Sequence, residues 1–182
     1  GNEFPESSSA LADRLYINDG KGHFVKSDQI LPAGKYESTS CVRPADYDKD
    51  GVMELFVGIR LKPFEYGVPC NGYLLENDGK GHFTNFTSRI APELINIGMI
   101  RDMLWEDVDG DGDIDMIIAG DWMPLKIFIN ENGTFKEKKD AFGTVQTQGW
   151  WNCVAAGDFN GDGHIDFIAG NHGLNSRFKV TP

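Results

Sequence analysis

The stretch Asp107-Val-Asp-Gly-Asp-Gly-Asp-Ile-Asp115, followed by Met-Ile-Ile-Ala-Gly, decides how the rest of the chain is interpreted. Five carboxylates alternate with small or apolar residues, so the segment would repel itself unless a cation drew the oxygens together. Acids stand at positions one, three, five and nine, and a glycine stands at position six, where a sharp turn is needed. The spacing therefore predicts a loop that can hold a hard cation.

The same arrangement occurs twice more, because residues 46–54 read DYDKDGVME and residues 158–166 read DFNGDGHID. Strand-like runs precede the three loops at 37–45, 99–105 and 151–156, and others follow at 53–59, 114–119 and 165–169. These runs are β-branched, aromatic and apolar, without helix start or stop signals. Three copies of one pattern indicate a repeat architecture.

A second repeated feature alternates with the acidic loops. The heptapeptide NDGKGHF occurs at 18–24 and again at 77–83, and the related NENGTF occurs at 130–135. Apolar and aromatic residues on both sides of a Gly-rich turn predict a β-hairpin. The unit is then strand, acidic loop, strand, connection, strand, tight turn, strand. Four antiparallel strands repeated in this way describe a propeller blade.

We therefore predict an all-β fold, a β-propeller segment of four-stranded antiparallel blades whose first and last blades are incomplete. Residues 1–12 are polar and serine-rich and are expected to form a flexible lead-in, and residues 13–182 hold the repeats. The boundaries are a half-blade at 13–28, blades at 36–90 and 99–142, and a partial blade at 150–182. Propellers usually have four to eight blades, so the segment belongs to a larger propeller or is an open array covered by a partner. Its open edges favour self-association.

Composition narrows the classes of function. The 182 residues are 40% hydrophobic and 12% aromatic, as expected of a folded domain, and the formal net charge of -11 argues against nucleic-acid binding. No segment approaches the roughly 20 apolar residues of a membrane span, so membrane insertion is not expected. The chain begins with Gly1, so a missing leader says nothing about native location. Cys41 and Cys70 could form a disulfide, but buried free thiols are favoured, and Cys153 completes no zinc motif.

Three stretches, RLYINDGKGHF (14–24), DVDGDGDIDMIIAGDWMPLKIFINENGTF (107–135) and DFNGDGHIDFIAGNHGLNS (158–176), resemble the FG-GAP/VCBS repeats. Such repeats build integrin α-chain propellers and occur in many bacterial secreted or surface proteins. The resemblance runs from about residue 13 to the end of the chain. It implies a propeller, an extracytoplasmic location (secreted, periplasmic or cell surface), and acidic loops that join the first two strands of a blade and bind calcium.

Up to three calcium ions follow from the resemblance, each held by four side chains and one backbone carbonyl. The side-chain ligands are Asp46, Asp48, Asp50 and Glu54; Asp107, Asp109, Asp111 and Asp115; and Asp158, Asn160, Asp162 and Asp166. The carbonyls are those of Val52, Asp113 and His164. Glu54 stands where the other loops have Asp, and its longer side chain leaves the mode of ligation in the first loop open.

Other interpretations of the acidic loops are weaker. An EF-hand needs a glutamate at position twelve and flanking helices, whereas these loops have Val57, Ile118 and Ala169 there. Zinc is disfavoured because the loops offer oxygen rather than sulfur or imidazole. Acids that only form turns, without a metal, remain the alternative.

Aromatic and polar residues outside the loops suggest a second kind of site. Trp150 and Trp151 cannot both face one side of a strand, so one could be exposed and stack on sugars, although Trp105, Trp122 and one of the pair suit the interfaces between blades. The segment NHGLN at 171–175 is a polar loop that either contacts a ligand or simply turns. His23 and His82 stand in identical turns, which favours a structural role.

Motifs of catalysis are scarce: the sequence has no nucleophile elbow, P-loop or dinucleotide fingerprint. We expect a non-enzymatic, calcium-binding repeat module in which calcium is structural. Its function would be adhesion or ligand binding, with a carbohydrate or another protein as partner. The alternatives are part of a catalytic propeller acting on polysaccharide, and a scaffold that assembles through open blade edges.

Overall fold

The computed structural model describes residues 11–29, 31, 37–143 and 145–173. These residues form twelve strands and very little helix, so the predicted all-β class is confirmed. Most of the predicted lead-in and the end of the last predicted blade lie outside the described residues. No helix among the described residues is long and apolar enough to cross a membrane.

The strands follow one another in four groups. The groups are β1 (Tyr16–Asn18) and β2 (Phe24–Lys26); β3 (Ser38–Ala45), β4 (Glu54–Leu61), β5 (Gly72–Asn77) and β6 (Phe83–Asn85); β7 (Met99–Glu106), β8 (Asp115–Met123), β9 (Lys126–Glu131) and β10 (Thr134–Glu137); and β11 (Gly149–Gly157) and β12 (Asp166–Asn171). Helix α1 (Thr87–Ile90) and a 3-10 turn (Pro92–Leu94) lie between the second and third groups.

All strand pairs are antiparallel, and within each group neighbours in sequence are neighbours in the sheet. Strands β3 to β6 form blade 1 and strands β7 to β10 form blade 2. We call β1–β2 the leading half-blade and β11–β12 the trailing half-blade. The arrangement is that of a β-propeller segment, with the two outer strands of one blade first and the two inner strands of another last.

The main core lies between blade 1 and blade 2. Phe56 and Leu74 of blade 1 pack in one cluster with Met103, Met116 and Phe128 of blade 2, and all five side chains are fully buried. Strand alternation turns the intervening residues of blade 1 to its other face. A second cluster on that face includes Val57, Ile59 and Leu75. Blade 1 is therefore covered on both faces, as an internal blade of a propeller should be.

Two features were not predicted from the sequence. Helix α1 and the 3-10 turn insert Ile90, Ala91 and Leu94 into the main core, so the link between the blades is a packed element and not a loose connection. In addition, the start of β11 pairs with the end of β8, with Trp150 opposite Asp121. Because of that pairing, blade 2 and the trailing half-blade share a sheet at the end remote from the acidic loops.

Candidate metal centres and the opposite end of the blades

The three acidic loops occupy equivalent places in the fold. Loop A (46–54) joins β3 to β4, loop B (107–115) joins β7 to β8, and loop C (158–166) joins β11 to β12. Each loop thus connects the first two strands of its blade, as the resemblance implied. The strands before and after each loop are antiparallel partners, so the loop must reverse the chain within nine residues.

A common set of hydrogen bonds shapes each loop. The backbone N–H of the glycine at position six donates to the carboxylate at position one, with distances of 3.1 Å for Gly51, 2.9 Å for Gly112 and 2.9 Å for Gly163. The side chains at positions three and five each accept an N–H from the residue two places later. The side chains are therefore oriented by the chain's own backbone.

The turn in each loop depends on left-handed backbone at positions four and six. The glycines at position six have φ of 88°, 91° and 84°. Position four is Gly110 in loop B and Gly161 in loop C, but in loop A it is Lys49, with φ of 63°. The Lys49 ammonium pairs with the Asp113 carboxylate of loop B. The Asp113 side chain thus links two loops, and the assignment of its backbone carbonyl as a ligand stays a prediction.

The acid at position nine anchors each loop from the side of the second strand. Glu54 accepts the N–H of Tyr47 at 3.3 Å, and Asp115 accepts the N–H of Val108 at 2.9 Å. Asp166 makes the equivalent contact with the N–H of Phe159, at 3.1 Å. In every loop, then, the last acid is bonded to the second residue and closes the loop on itself.

The acid at position nine is more buried in loops A and B than in loop C. Glu54 and Asp115 are buried, whereas Asp166 is half-buried. Burial, and next the neighbouring Asp48 carboxylate, raise the pKa of Glu54 to about 7, and burial raises the pKa of Asp115. In loop C, backbone N–H donors, Gly163 first among them, lower the pKa of Asp158. A cation bound in loop A or loop B would lower the raised pKa of Glu54 or Asp115 and so favour the ionised carboxylate.

Carboxylate oxygens converge in two of the loops. Asp46, Asp48 and Asp50 each offer an oxygen within 4.8 Å of the others, and so do Asp107, Asp109 and Asp115. The predicted ligands Glu54 and Asp111 lie outside these two groups, and in loop C, where position three is Asn160, the described acids form no group of three. The Oδ1 atom of Asp46 is buried and accepts no hydrogen bond from the described part of the chain. Loops A and B therefore present clustered oxygens that could hold a metal ion, and the donor set suits a hard cation.

Asn130 is a residue of these centres that the sequence interpretation missed. Its backbone N–H donates to Asp115 at 2.8 Å, and its side-chain amide donates to the carbonyls of Tyr47 at 2.9 Å and Ile114 at 3.2 Å. In blade 1, Asn77 likewise donates to the carbonyl of Met53, at 3.0 Å. The signal was the asparagine repeated at 18, 77 and 130, which we interpreted only as part of a turn.

Arginine–carboxylate contacts connect the inner strands of neighbouring blades. Asp121 is buried between Arg60, 3.0 Å away, and Arg101, 3.4 Å away. Asp102 pairs with Arg43 and also accepts the N–H of Val154, at 3.1 Å. These contacts run from blade 1 through blade 2 to the trailing half-blade, so they fix how neighbouring blades sit together.

An aromatic cluster lies at the same end as the Asp121 contacts. The rings of Trp122 and Trp150 have centroids 4.7 Å apart, and those of Trp150 and His172 are 4.5 Å apart. The indole N–H of Trp122 donates to the hydroxyl of Tyr66 at 3.1 Å. Trp122 has φ of 59°, an uncommon conformation for a bulky residue. We call Tyr66, Trp122, Trp150 and His172 the aromatic face.

Fold and loops together define a propeller-like repeat protein with acidic loops between the first two strands of its blades. A sequence model described as the FG-GAP-like repeat matches residues 7–57 and 107–169, more than half of the chain. The chain therefore belongs to the FG-GAP-like repeat family, as the resemblance indicated. All three acidic loops fall within the matched segments. No curated protein matches the chain.

Proposed function

We propose that this chain is a calcium-binding β-propeller repeat module in which the ion has a structural role. The observation that carries the proposal is the convergence of carboxylate oxygens in loops A and B, within 4.8 Å of one another. Hydrogen bonds from the loop backbone orient these side chains toward the loop interior without the help of an ion. The buried Oδ1 of Asp46, which accepts no hydrogen bond from the described residues, suits a cation ligand.

The proposed ligands are those at positions one, three, five, seven and nine of each loop. Bound calcium supplies positive charge that offsets the repulsion among the carboxylates of one loop. The chain's contribution is to fix the loop between two paired strands, so that occupation stabilises the first hairpin of the blade. Loop C would be the weakest site, because its acids are more exposed than those of loops A and B.

An extracytoplasmic location agrees with a structural role for calcium, since extracellular modules bind calcium with Kd of about 10⁻⁴–10⁻³ M. We propose adhesion or ligand binding rather than catalysis. Asp102 and Asp121, two buried carboxylates outside the acidic loops, both contact arginine side chains. Such contacts favour structural ion pairs over a pair of groups that exchange protons with a substrate.

Thermal unfolding with and without calcium tests the proposal. We expect millimolar calcium to raise Tm by several degrees over the same protein in EDTA, because only the folded state holds the converged ligands. Asp46→Asn and Asp107→Asn should each reduce that increase, whereas the exposed Asp140→Asn should not. An identical Tm in calcium and EDTA, with calcium as high as 10 mM, would contradict it.

The aromatic face supports carbohydrate binding as a more specific form of this function. Half of the Tyr66 surface is exposed, His172 is exposed, and the two rings flank the adjoining rings of Trp122 and Trp150. Aromatic rings beside polar groups suit the apolar and hydroxyl faces of a sugar. The aromatic face lies at the end of the blades away from the acidic loops, so calcium and a sugar would occupy different sites.

Affinity electrophoresis through gels that contain soluble polysaccharides tests this second candidate. The parent chain should be retarded by at least one polysaccharide, and Tyr66→Ala and His172→Ala should be retarded less. The matched control is Met53→Ala, since Met53 is also exposed but lies in loop A. Equal migration of the parent and both variants in every gel would rule against sugar binding at the aromatic face.

A further inference from the structure

The connection between β4 and β5 in blade 1 is much longer than its equivalent in blade 2. It covers the ten residues 62–71, whereas only the two residues 124–125 join β8 to β9. The N–H of Cys70 donates to the carbonyl of Gly98 at 2.9 Å, and the N–H of Gly98 donates to the carbonyl of Cys70 at 3.3 Å. Gly98 directly precedes the first strand of blade 2. The extra residues of blade 1 are therefore held against the start of blade 2.

A cavity of about 240 Å³ lies between this long connection and blade 2, and we call it the insertion cavity. Gly67 lines it on the side of the connection, and the residues around the start of β7 and the end of β8 line the rest. Its apolar side chains are those of Pro69, Ile97, Met99, Met123 and Pro124. The volume is far above the ~15 Å³ that one water molecule needs. A ligand group of several heavy atoms therefore fits.

The strongest polar groups of the lining already have partners in the chain. The Asp121 carboxylate contacts Arg60 at 3.0 Å and Arg101 at 3.4 Å. The indole N–H of Trp122 donates to the Tyr66 hydroxyl. Because two guanidinium groups balance the charge of Asp121, a neutral ligand group suits the lining better than an ammonium. Because the remaining side chains are mostly apolar, a group with few hydrogen bonds to satisfy is favoured.

Trp122 joins the insertion cavity to the aromatic face, because it lines the cavity and its ring adjoins that of Trp150. Gly67 of the lining is also the neighbour in sequence of Tyr66 on that face. The backbone of Trp122 has φ of 59°. Such costly conformations of bulky residues are concentrated at ligand sites. A sugar ring on the aromatic face would therefore lie beside the opening of the cavity.

We propose that the insertion cavity receives the acetyl group of an acetylated sugar whose ring lies on the aromatic face. The inference rests on the sugar binding proposed above and names the class of sugar. The acetyl group is neutral and ends in a methyl group, which packs on Ile97 and the two methionines, while the ring hydroxyls stay on the exposed face. Burying that methyl group favours an acetylated sugar over the corresponding hexose by about tenfold or more.

Saturation-transfer difference NMR with free monosaccharides tests the class of sugar. The chain is mixed in turn with N-acetylglucosamine, N-acetylgalactosamine and N-acetylmannosamine, and with the hexose that corresponds to each. We expect at least one acetylated sugar to bind about tenfold more tightly than its hexose, with stronger saturation of its acetyl methyl protons than of its ring protons. Equal affinity and equal saturation of ring protons in every pair would overturn the inference and leave sugar binding intact. Lack of saturation in all six sugars would also overturn it, and gel retardation then shows whether sugar binding itself stands.

A variant that fills the insertion cavity tests the location of the acetyl group. Ile97→Phe adds volume to the lining and leaves the aromatic face unchanged, so it should reduce the affinity for the acetylated sugar to that for its hexose. The matched control is Ile95→Phe, because Ile95 is 46% exposed and is not part of the lining. A preference for the acetylated sugar that persists in Ile97→Phe would overturn the proposal. The comparison of sugars needs no variant, so it decides the question even if Ile97→Phe does not fold.

Discussion

The side-chain amide of Asn130 donates a hydrogen bond of 2.9 Å to the main-chain carbonyl of Tyr47, across the boundary between blades 2 and 1. Asn130 begins the hairpin turn of blade 2, and Tyr47 is the second residue of loop A. Both residues are buried. Because Asn130 also contacts loop B through Asp115, one side chain and its backbone connect two candidate metal centres. The geometry of each loop therefore depends on its neighbour.

Replacing Asn130 by alanine tests that connection. The variant leaves the buried carbonyl of Tyr47 and the half-buried carbonyl of Ile114 without their donor, and the Gly133 N–H without its acceptor, so we expect a loss of about 2–3 kcal/mol in the free energy of unfolding. Urea denaturation followed by tryptophan fluorescence measures it. Asn77→Ala is the matched control, because the Asn77 side chain accepts N–H groups of its own turn and donates only to the exposed carbonyl of Met53, so its loss should cost about 1 kcal/mol. Equal losses for the two variants would show that Asn130 does not link the blades.

Lys49 offers a test of backbone strain in loop A. It holds φ of 63° at a position where loops B and C have glycine. Lys49→Gly removes a left-handed penalty of about 1 kcal/mol and an exposed ion pair with Asp113 that contributes less. We expect unchanged or slightly higher stability. Gly110→Ala, the reverse change in loop B, meets no atom within 4 Å and should lower stability by about 1 kcal/mol through conformation alone. Destabilisation by Lys49→Gly of more than that amount would refute this interpretation.

Gly120 in β8 tests how tightly β7 and β8 pack. A Cβ atom there would lie within van der Waals radii of the backbone carbonyl of Met99. Backbone cannot move aside as a flexible side chain can, so Gly120→Ala should cost at least 3 kcal/mol. Ala119→Gly, its neighbour in the same strand, should cost about 1 kcal/mol. Thermal unfolding of both variants measures the difference. Similar Tm values would contradict the close approach of β7 and β8 at Gly120.

The pH dependence of the calcium-free protein follows from Glu54. Its pKa in the folded chain, about 7, is above the ordinary value of 4.5, mainly because it is buried. The folded state therefore prefers the protonated acid, and stability falls as pH rises from about 4.5 to about 7. In EDTA, the Tm advantage of Glu54→Gln over the parent should grow across that window. Buried Asp115 acts in the same direction. Parallel Tm curves for parent and variant between pH 5 and pH 8 would contradict the assignment.

Repeated short-range patterns predicted the blades and the place of each acidic loop, because strand periodicity and turn chemistry are local. Contacts between blades were not predictable in the same way. The reach of Asn130 to Tyr47 depends on which carbonyl the neighbouring blade presents, and nothing in the sequence fixes that. The contact between Trp122 and Trp150 depends on the positive φ of Trp122 and on the start of β11 pairing with β8. Both contacts depend on how neighbouring blades pack, which local strand patterns do not determine.

The Cys41 and Cys70 thiols illustrate a prediction that the packing supports. Both side chains are buried and neither forms a disulfide. Cys41 lies in the core between the blades, and Cys70 lies in the core on the other face of blade 1. The sheet of blade 1 therefore separates two residues whose spacing alone had left a disulfide open.

The position of calcium in a crystal tests the central claim most directly. Crystals grown in several millimolar calcium, and measured at a wavelength where calcium scatters anomalously, should show one peak within loop A and one within loop B. Loops A and B with ordered carboxylates and no anomalous peak would contradict the claim that these repeats are stabilised by calcium.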